Sequence, residues 1–130
     1  MKLDCLDHVA ATVTNLQRST DWYQRVLGLE RRHEETWGDV PTFMCAGSTG
    51  LALFPANTAT PAPGLEQGTA IRMIHLAFRA NRENFERAQQ ELRSLGISFE
   101  FADHQISHSI YFSDPDGHQL EITTYEVQPK

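Results

Sequence analysis

With 130 residues, 40% of them hydrophobic, the chain has the size of one domain and enough apolar material to build a core. Eleven basic against seventeen acidic residues give a net charge of −6, and the one basic cluster, Arg31-Arg32-His33, runs straight into Glu34-Glu35, which excludes a nucleic-acid footprint. No apolar run approaches the roughly 18 residues of a membrane span, and Met1-Lys2-Leu3-Asp4 leads directly into a strand-like segment, so the expectation is a cytoplasmic protein with neither nucleic acid nor membrane among its partners.

Residues 3–13 alternate, with Leu3, Cys5, Val9, Ala11 and Val13 on one face and Leu6, His8, Ala10 and Thr12 on the other, the pattern of a half-buried strand. Cys5 in this run and Cys45 in a later one lack Cys-x-x-Cys spacing and are expected to be reduced and buried. Asn15 reads as the N-cap of a helix that turns Leu16, Tyr23, Val26 and Leu27 inward and stops at a left-handed Gly28. Strands are then expected at 30–37, 42–46 and 51–54. A segment with Pro55, Pro61 and Pro63, two glycines and three threonines has the composition of an extended linker.

The second half follows the same order. Ile74, Leu76 and Phe78 oppose Met73, His75, Ala77 and Arg79. Asn81 caps a helix with Phe85, Ala88, Leu92 and Leu95 inward and Gly96 as its stop, and strands are expected at 97–101, 109–113 and 119–125. Asp114-Pro115-Asp116-Gly117 is a turn that joins the last two as an antiparallel hairpin. The predicted fold is α+β, with a first βαβββ module at 1–55, a linker at 56–69 and a second βαβββ module at 70–130, their curved mixed sheets forming a cup.

The halves are a duplication. His8 and His75 are 67 positions apart, Gly28 and Gly96 are 68 apart, and the run from Gly50 to Phe54 lines up with the run from Gly117 to Glu121, again at 67. Both histidines fall on the face opposite their helix. Alternation with Leu120 and Ile122 puts Glu121 on that face, and alternation with Ile110 and Phe112 puts Tyr111 there too. Two imidazoles and one carboxylate occupy one face of an octahedron and leave about three positions open, a pattern that suits one divalent metal per site: Fe(II) or Mn(II) first, Zn(II) or Ni(II) as alternatives. On this alignment Phe54 stands where Glu121 stands in the other half. Trp37, Met44, Phe54, Arg72, His108 and Tyr125 are expected to line the cup and set substrate specificity.

From Leu6-Asp7-His8, through Asp21-Trp22-Tyr23-Gln24-Arg25-Val26-Leu27-Gly28-Leu29, to Ile110-Tyr111-Phe112-Ser113-Asp114-Pro115-Asp116-Gly117-His118-Gln119-Leu120-Glu121, the chain resembles the vicinal oxygen chelate superfamily. That group includes glyoxalase I, extradiol ring-cleaving dioxygenases, methylmalonyl-CoA epimerase, fosfomycin-resistance enzymes and bleomycin-binding proteins. The resemblance implies paired βαβββ modules, a homodimer, metal ligands at His8, His75 and Glu121, and a small-molecule substrate with two adjacent oxygens. Glyoxalase I and the epimerase are similar in design but place a fourth ligand at the position of Phe54, and bleomycin-binding proteins lack the ligands. Fosfomycin-resistance enzymes share the His, His, Glu set and a terminal motif similar to 109–121, although several carry Thr or Cys where this chain has Ala10. Extradiol dioxygenases resemble the second half, with Tyr111 ten residues before Glu121 and a loop similar to His104-Gln105-Ile106-Ser107-His108. There Tyr111 would hydrogen-bond a substrate oxygen and His104 would shape the oxygen pocket. The resemblance puts extradiol-type ring cleavage first, a glyoxalase-, lyase- or isomerase-like enzyme or a fosfomycin-resistance-type metal transferase second, and a non-catalytic drug-binding protein third.

Overall fold

The computed structural model describes residues 1–58 and 71–127. The chain divides into two compact units, Met1–Ala62 and Pro63–Lys130. Most of the expected linker at 56–69 lies outside the described residues.

The first unit runs β1 (His8–Val13), α1 (Leu16–Leu27), β2 (Glu30–Arg32), α2 (Glu34–Trp37), β3 (Thr42–Ala46) and β4 (Thr49–Pro55). Its sheet has the order β1-β4-β3-β2, with β1 and β4 parallel and the other neighbours antiparallel. The second unit runs β5 (Leu76–Arg79), α3 (Arg82–Ser94), β6 (Glu100–Asp103), β7 (His108–Ser113) and β8 (Gln119–Thr124), and its sheet, β5-β8-β7-β6, repeats that order and those directions. Two four-stranded mixed sheets with helices make the fold α+β, as expected.

Local chemistry sets the helix ends where the sequence places them. The Asn15 side chain accepts from the Arg18 N–H at 2.9 Å and the Asn81 side chain from the Asn84 N–H at 2.8 Å, so each helix begins with one orphan donor satisfied. Gly28 ends α1 at φ 66°, a region costly for any residue with a Cβ. At the end of α3 the Gly96 N–H donates to the Arg93 carbonyl and the Ile97 N–H to the Leu92 carbonyl, the paired bonds of a Schellman stop, with Gly96 at φ 72°. In the turn at Asp114-Pro115-Asp116-Gly117, the Gly117 N–H donates to the Asp114 carbonyl at 3.0 Å, and β7 and β8 pair antiparallel across it.

Each core lies between a helix and one face of its sheet. In the first unit α1 packs on β3 and β4, and Tyr23 and Val26 are buried along with Met44, Leu51, Leu53 and Val13. In the second unit α3 packs on β8, and Phe85 and Leu92 are buried along with Ile110, Phe112, Leu120 and Ile122. Each such side chain contributes about 1.5–3 kcal/mol when removed from water.

Several expectations are corrected. β1 begins only at His8, because pairing with β4 starts at the His8–Gly50 partners, with the Gly50 N–H donating to the Asp7 carbonyl at 2.9 Å; Cys5, further upstream, is exposed. Cys45 is buried, and both thiols are free. The segment 30–37 is a strand for three residues only; His33 then turns the chain at φ 66° and the short α2 follows. Likewise β5 starts at Leu76 and β6 at Glu100. Leu95, the C-cap residue of α3 beside the Gly96 stop, is exposed. No helix among the described residues is long and apolar enough to cross a membrane.

Candidate metal centre

In the second unit the structure brings four of the expected residues together. Glu121 lies mid-strand on β8, flanked by Ala77 on β5 and Tyr111 on β7, and is only 8% exposed. A carboxylate so far from water needs partners on both oxygens. It has them: His75 Nε2 stands 2.8 Å from Oε1, and the Ser109 hydroxyl donates to Oε2 at 2.6 Å. Ser109 Oγ is in turn 3.0 Å from the Thr123 hydroxyl. Tyr111 presents its ring edge-on to His75, with centroids 5.7 Å apart, and its hydroxyl is 2.9 Å from His104 Nε2. Burial first, and the Glu121 carboxylate next, push the Tyr111 phenol above its ordinary value. It therefore stays protonated across the neutral range.

In the first unit His8 opens β1 on the sheet face opposite α1. Its Nδ1 is 2.8 Å from Asp7 Oδ2, the hydrogen bond by which a carboxylate commonly fixes an imidazole so that Nε2 is directed to a metal. The ring of Phe43 meets His8 edge-on, with centroids 5.5 Å apart. Phe43 also contacts Trp37 at 5.6 Å and His33 at 5.7 Å.

The strand registers redraw the repeat. Two residues after His75, Ala77 pairs with Glu121, which pairs with Tyr111; two residues after His8, Ala10 pairs with Ala52, which pairs with Phe43. The counterpart of Glu121 is thus Ala52, not Phe54, and the counterpart of Tyr111 is Phe43. Phe54 sits one step further along the same face, paired with Thr12, and is 36% exposed. The cause is two extra residues in the second module. Phe43 and Tyr111 are already 68 positions apart against 67 for the histidines, and five residues separate Ser113 and Gln119 where four separate Cys45 and Gly50, so a constant offset of 67 lands two residues past Ala52.

Two expected lining residues are elsewhere. Met44 is fully buried and alternates with Phe43 and Cys45, so it belongs to the core under α1. His108 is on the helix side of its sheet, where Arg82 Nη2 of α3 donates to its Nδ1 at 2.9 Å and the ring of Phe101 lies 5.2 Å away. Both corrections follow from strict period-two alternation with neighbours assigned to the opposite face. Trp37 stands on the His8 side through its contact with Phe43. Tyr125 is exposed beneath the Arg79 guanidinium, and Arg72 is half-buried before β5. Ser109, Phe43, His33 and Asp7 were not expected. Ser109 was within reach, since it shares the alternation that places Tyr111 beside Glu121.

The model of the Glyoxalase/Bleomycin resistance protein/Dioxygenase superfamily matches residues 5–122. The chain belongs to that superfamily. A glutathione transferase FosA from Serratia marcescens is 28% identical over 92% of this chain and 80% of its own length. A metallothiol transferase FosB from Lysinibacillus sphaericus is 25% identical over 100% of the chain and 89% of its own. Among solved structures, a glyoxalase/dioxygenase from Nostoc punctiforme is 26% identical with a TM-score of 0.79, covering 97% of this chain and 92% of that one. The fosfomycin resistance protein FosX from Listeria monocytogenes, at 19% identity and a TM-score of 0.66 over 95% and 94%, shares the fold.

For a member of this superfamily the donor set fits a divalent metal. Imidazole and carboxylate are borderline-to-hard ligands, Glu121 is already anchored through one oxygen by Ser109, and Asp7 holds His8. Among the described residues no three His, Cys, Asp or Glu side chains are gathered as a metal-holding group; within the second unit His75 and Glu121 form a pair.

Proposed function

We propose that this chain is a divalent-metal-dependent thiol transferase, acting as a homodimer on a small electrophile with adjacent oxygens, with His8, His75 and Glu121 as the metal ligands. The observation that carries the reading is the His75–Glu121 pair at 2.8 Å, anchored by Ser109 and flanked by Tyr111. Relatives named glutathione transferase and metallothiol transferase support it over ring cleavage. Exposed Leu3 and Leu6 before β1 and Met73 and Ile74 before β5, next to edge strands of both sheets, support pairing of copies.

A bound divalent cation supplies Lewis-acid polarisation of a substrate oxygen and a template for its neighbour. Ser109 keeps the Glu121 carboxylate in a single orientation. Tyr111, protonated and adjacent to His75, donates to the oxygen that takes up charge. The thiol sulfur bonds to the substrate carbon, the carbon–oxygen bond breaks, and the thiol proton ends on the released oxygen. His104, 2.9 Å from Tyr111, fixes the phenol's direction.

The test is adduct formation. Protein loaded separately with Mn(II), Zn(II) or Fe(II) is incubated with glutathione or cysteine and a panel of epoxides that includes fosfomycin. Mass spectrometry should find a product equal in mass to thiol plus epoxide, absent with Glu121→Ala. No adduct with any combination would overturn the reading. The His104–Tyr111 bond favours extradiol oxygenation as a second reading, for which the Fe(II)-loaded protein should consume oxygen with catechols.

A further inference from the structure

We propose that the substrate carries an aromatic ring or similarly flat apolar group that seats on the rings of Trp37, Phe43 and His33 beside His8. This rests on the reading of His8 as a metal ligand and adds the substrate class to it.

The ring array is built into the fold. A Cβ at Gly50 would stand 2.5 Å from the Phe43 ring, so only glycine at this position, the register partner of both His8 and Cys45, lets that ring lie beside the histidine. The equivalent position in the other unit, opposite Ser113, is Gln119. His33, at the N-cap of α2, holds the left-handed conformation uncommon for a residue with a side chain, and its ring lies 4.9 Å from that of Trp37. Trp37 nevertheless remains 45% exposed, on a turn that contributes no buried residue to the core. A half-exposed tryptophan backed by two rings and leading to an imidazole is a stacking surface.

Arg32 shares the face, since it pairs with Phe43, and its guanidinium donates to the Gly47 carbonyl at 2.9 Å and lies 3.4 Å from Glu30 Oε2. A dianionic substrate group would have to displace these contacts, whereas an apolar ring meets surface already arranged for it.

Mn(II)-loaded protein is titrated with 1-phenylethane-1,2-diol, propane-1,2-diol and methylphosphonate, which present adjacent oxygens with a ring, with a methyl, and a dianion. The phenyl diol should bind about tenfold tighter than the methyl diol and tighter than methylphosphonate. Trp37→Ala should shrink the gap between the diols to about twofold; Trp37→Phe, which keeps a ring, should preserve most of it. Equal binding of the diols, tighter binding of methylphosphonate abolished by Arg72→Ala, or a gap unchanged in Trp37→Ala would overturn the proposal. Glu121→Ala separates the two readings. If the ring preference is absent but Glu121→Ala weakens both diols, the metal centre stands and the ring site falls; if both diols bind Glu121→Ala as they bind the wild type, with the gap intact, the ring site stands and the metal reading falls.

Discussion

In the first module the ring that meets the histidine edge-on is Phe43, and its partner on the neighbouring strand is Ala52; in the second, the same two places hold Tyr111 and Glu121. The frames are alike in strand order, helix caps and the angle between histidine and ring, 66° in one and 73° in the other. Their surroundings are not. Glu121 can be buried because Ser109 and His75 satisfy its oxygens, whereas Ala52 is packed with Phe43 and Cys45 in an apolar cluster. Duplication supplied the same geometry twice, and the polar groups were kept or gained where a carboxylate could be satisfied. One module thus presents a histidine beside an apolar wall, the other a histidine paired with a carboxylate beside a phenol.

The most severe way to break the comparison is to write the second module's carboxylate into the first. Ala52→Glu should destabilise the protein by about 3–5 kcal/mol, the cost of a buried charge without a partner, read as a lower urea midpoint. The converse, Ser109→Ala, removes the donor that makes Glu121 tolerable. It should cost about 1–3 kcal/mol and weaken Mn(II) binding by about 10- to 100-fold, and calorimetry of the apo and loaded protein would separate these effects. The smallest effect distinguishes the two thiols. Burial, partly offset by Arg32, pushes the Cys45 thiol above its ordinary value, so at a given pH less of it is thiolate. At pH 8 a thiol reagent should label Cys5 rapidly and Cys45 only on unfolding; rapid labelling of two equivalents would show that the Cys45 cluster is open.

What was legible in the sequence was local or repeated. Asn15, Asn81, Gly28, Gly96 and the Asp114-Pro115-Asp116-Gly117 turn act through hydrogen bonds and φ angles within a few residues, and each does in the structure what its chemistry dictates. The face shared by Glu121 and Tyr111 followed from alternation alone. What was not legible depends on pairing across the sheet. A constant offset matches Glu121 to Phe54 because it hides two extra residues in the second module, one before β7 and one in the hairpin. Met44 and His108 lie on the helix face of their sheets and not on the expected one, a difference of one residue in a period of two. Cys5 sits in an alternating segment that precedes the β1 ladder and pairs with no strand among the described residues, and alternation without a partner does not bury anything.

The proposed metal-binding carboxylate is Glu121, whose place in the first module is taken by Ala52. Titration of Mn(II) into the wild-type, Glu121→Ala and Phe54→Ala proteins tests it most directly. Affinity should fall by about 100-fold or more in Glu121→Ala and stay within about twofold of wild type in Phe54→Ala, which removes no donor atom. Wild-type affinity in Glu121→Ala would contradict the account.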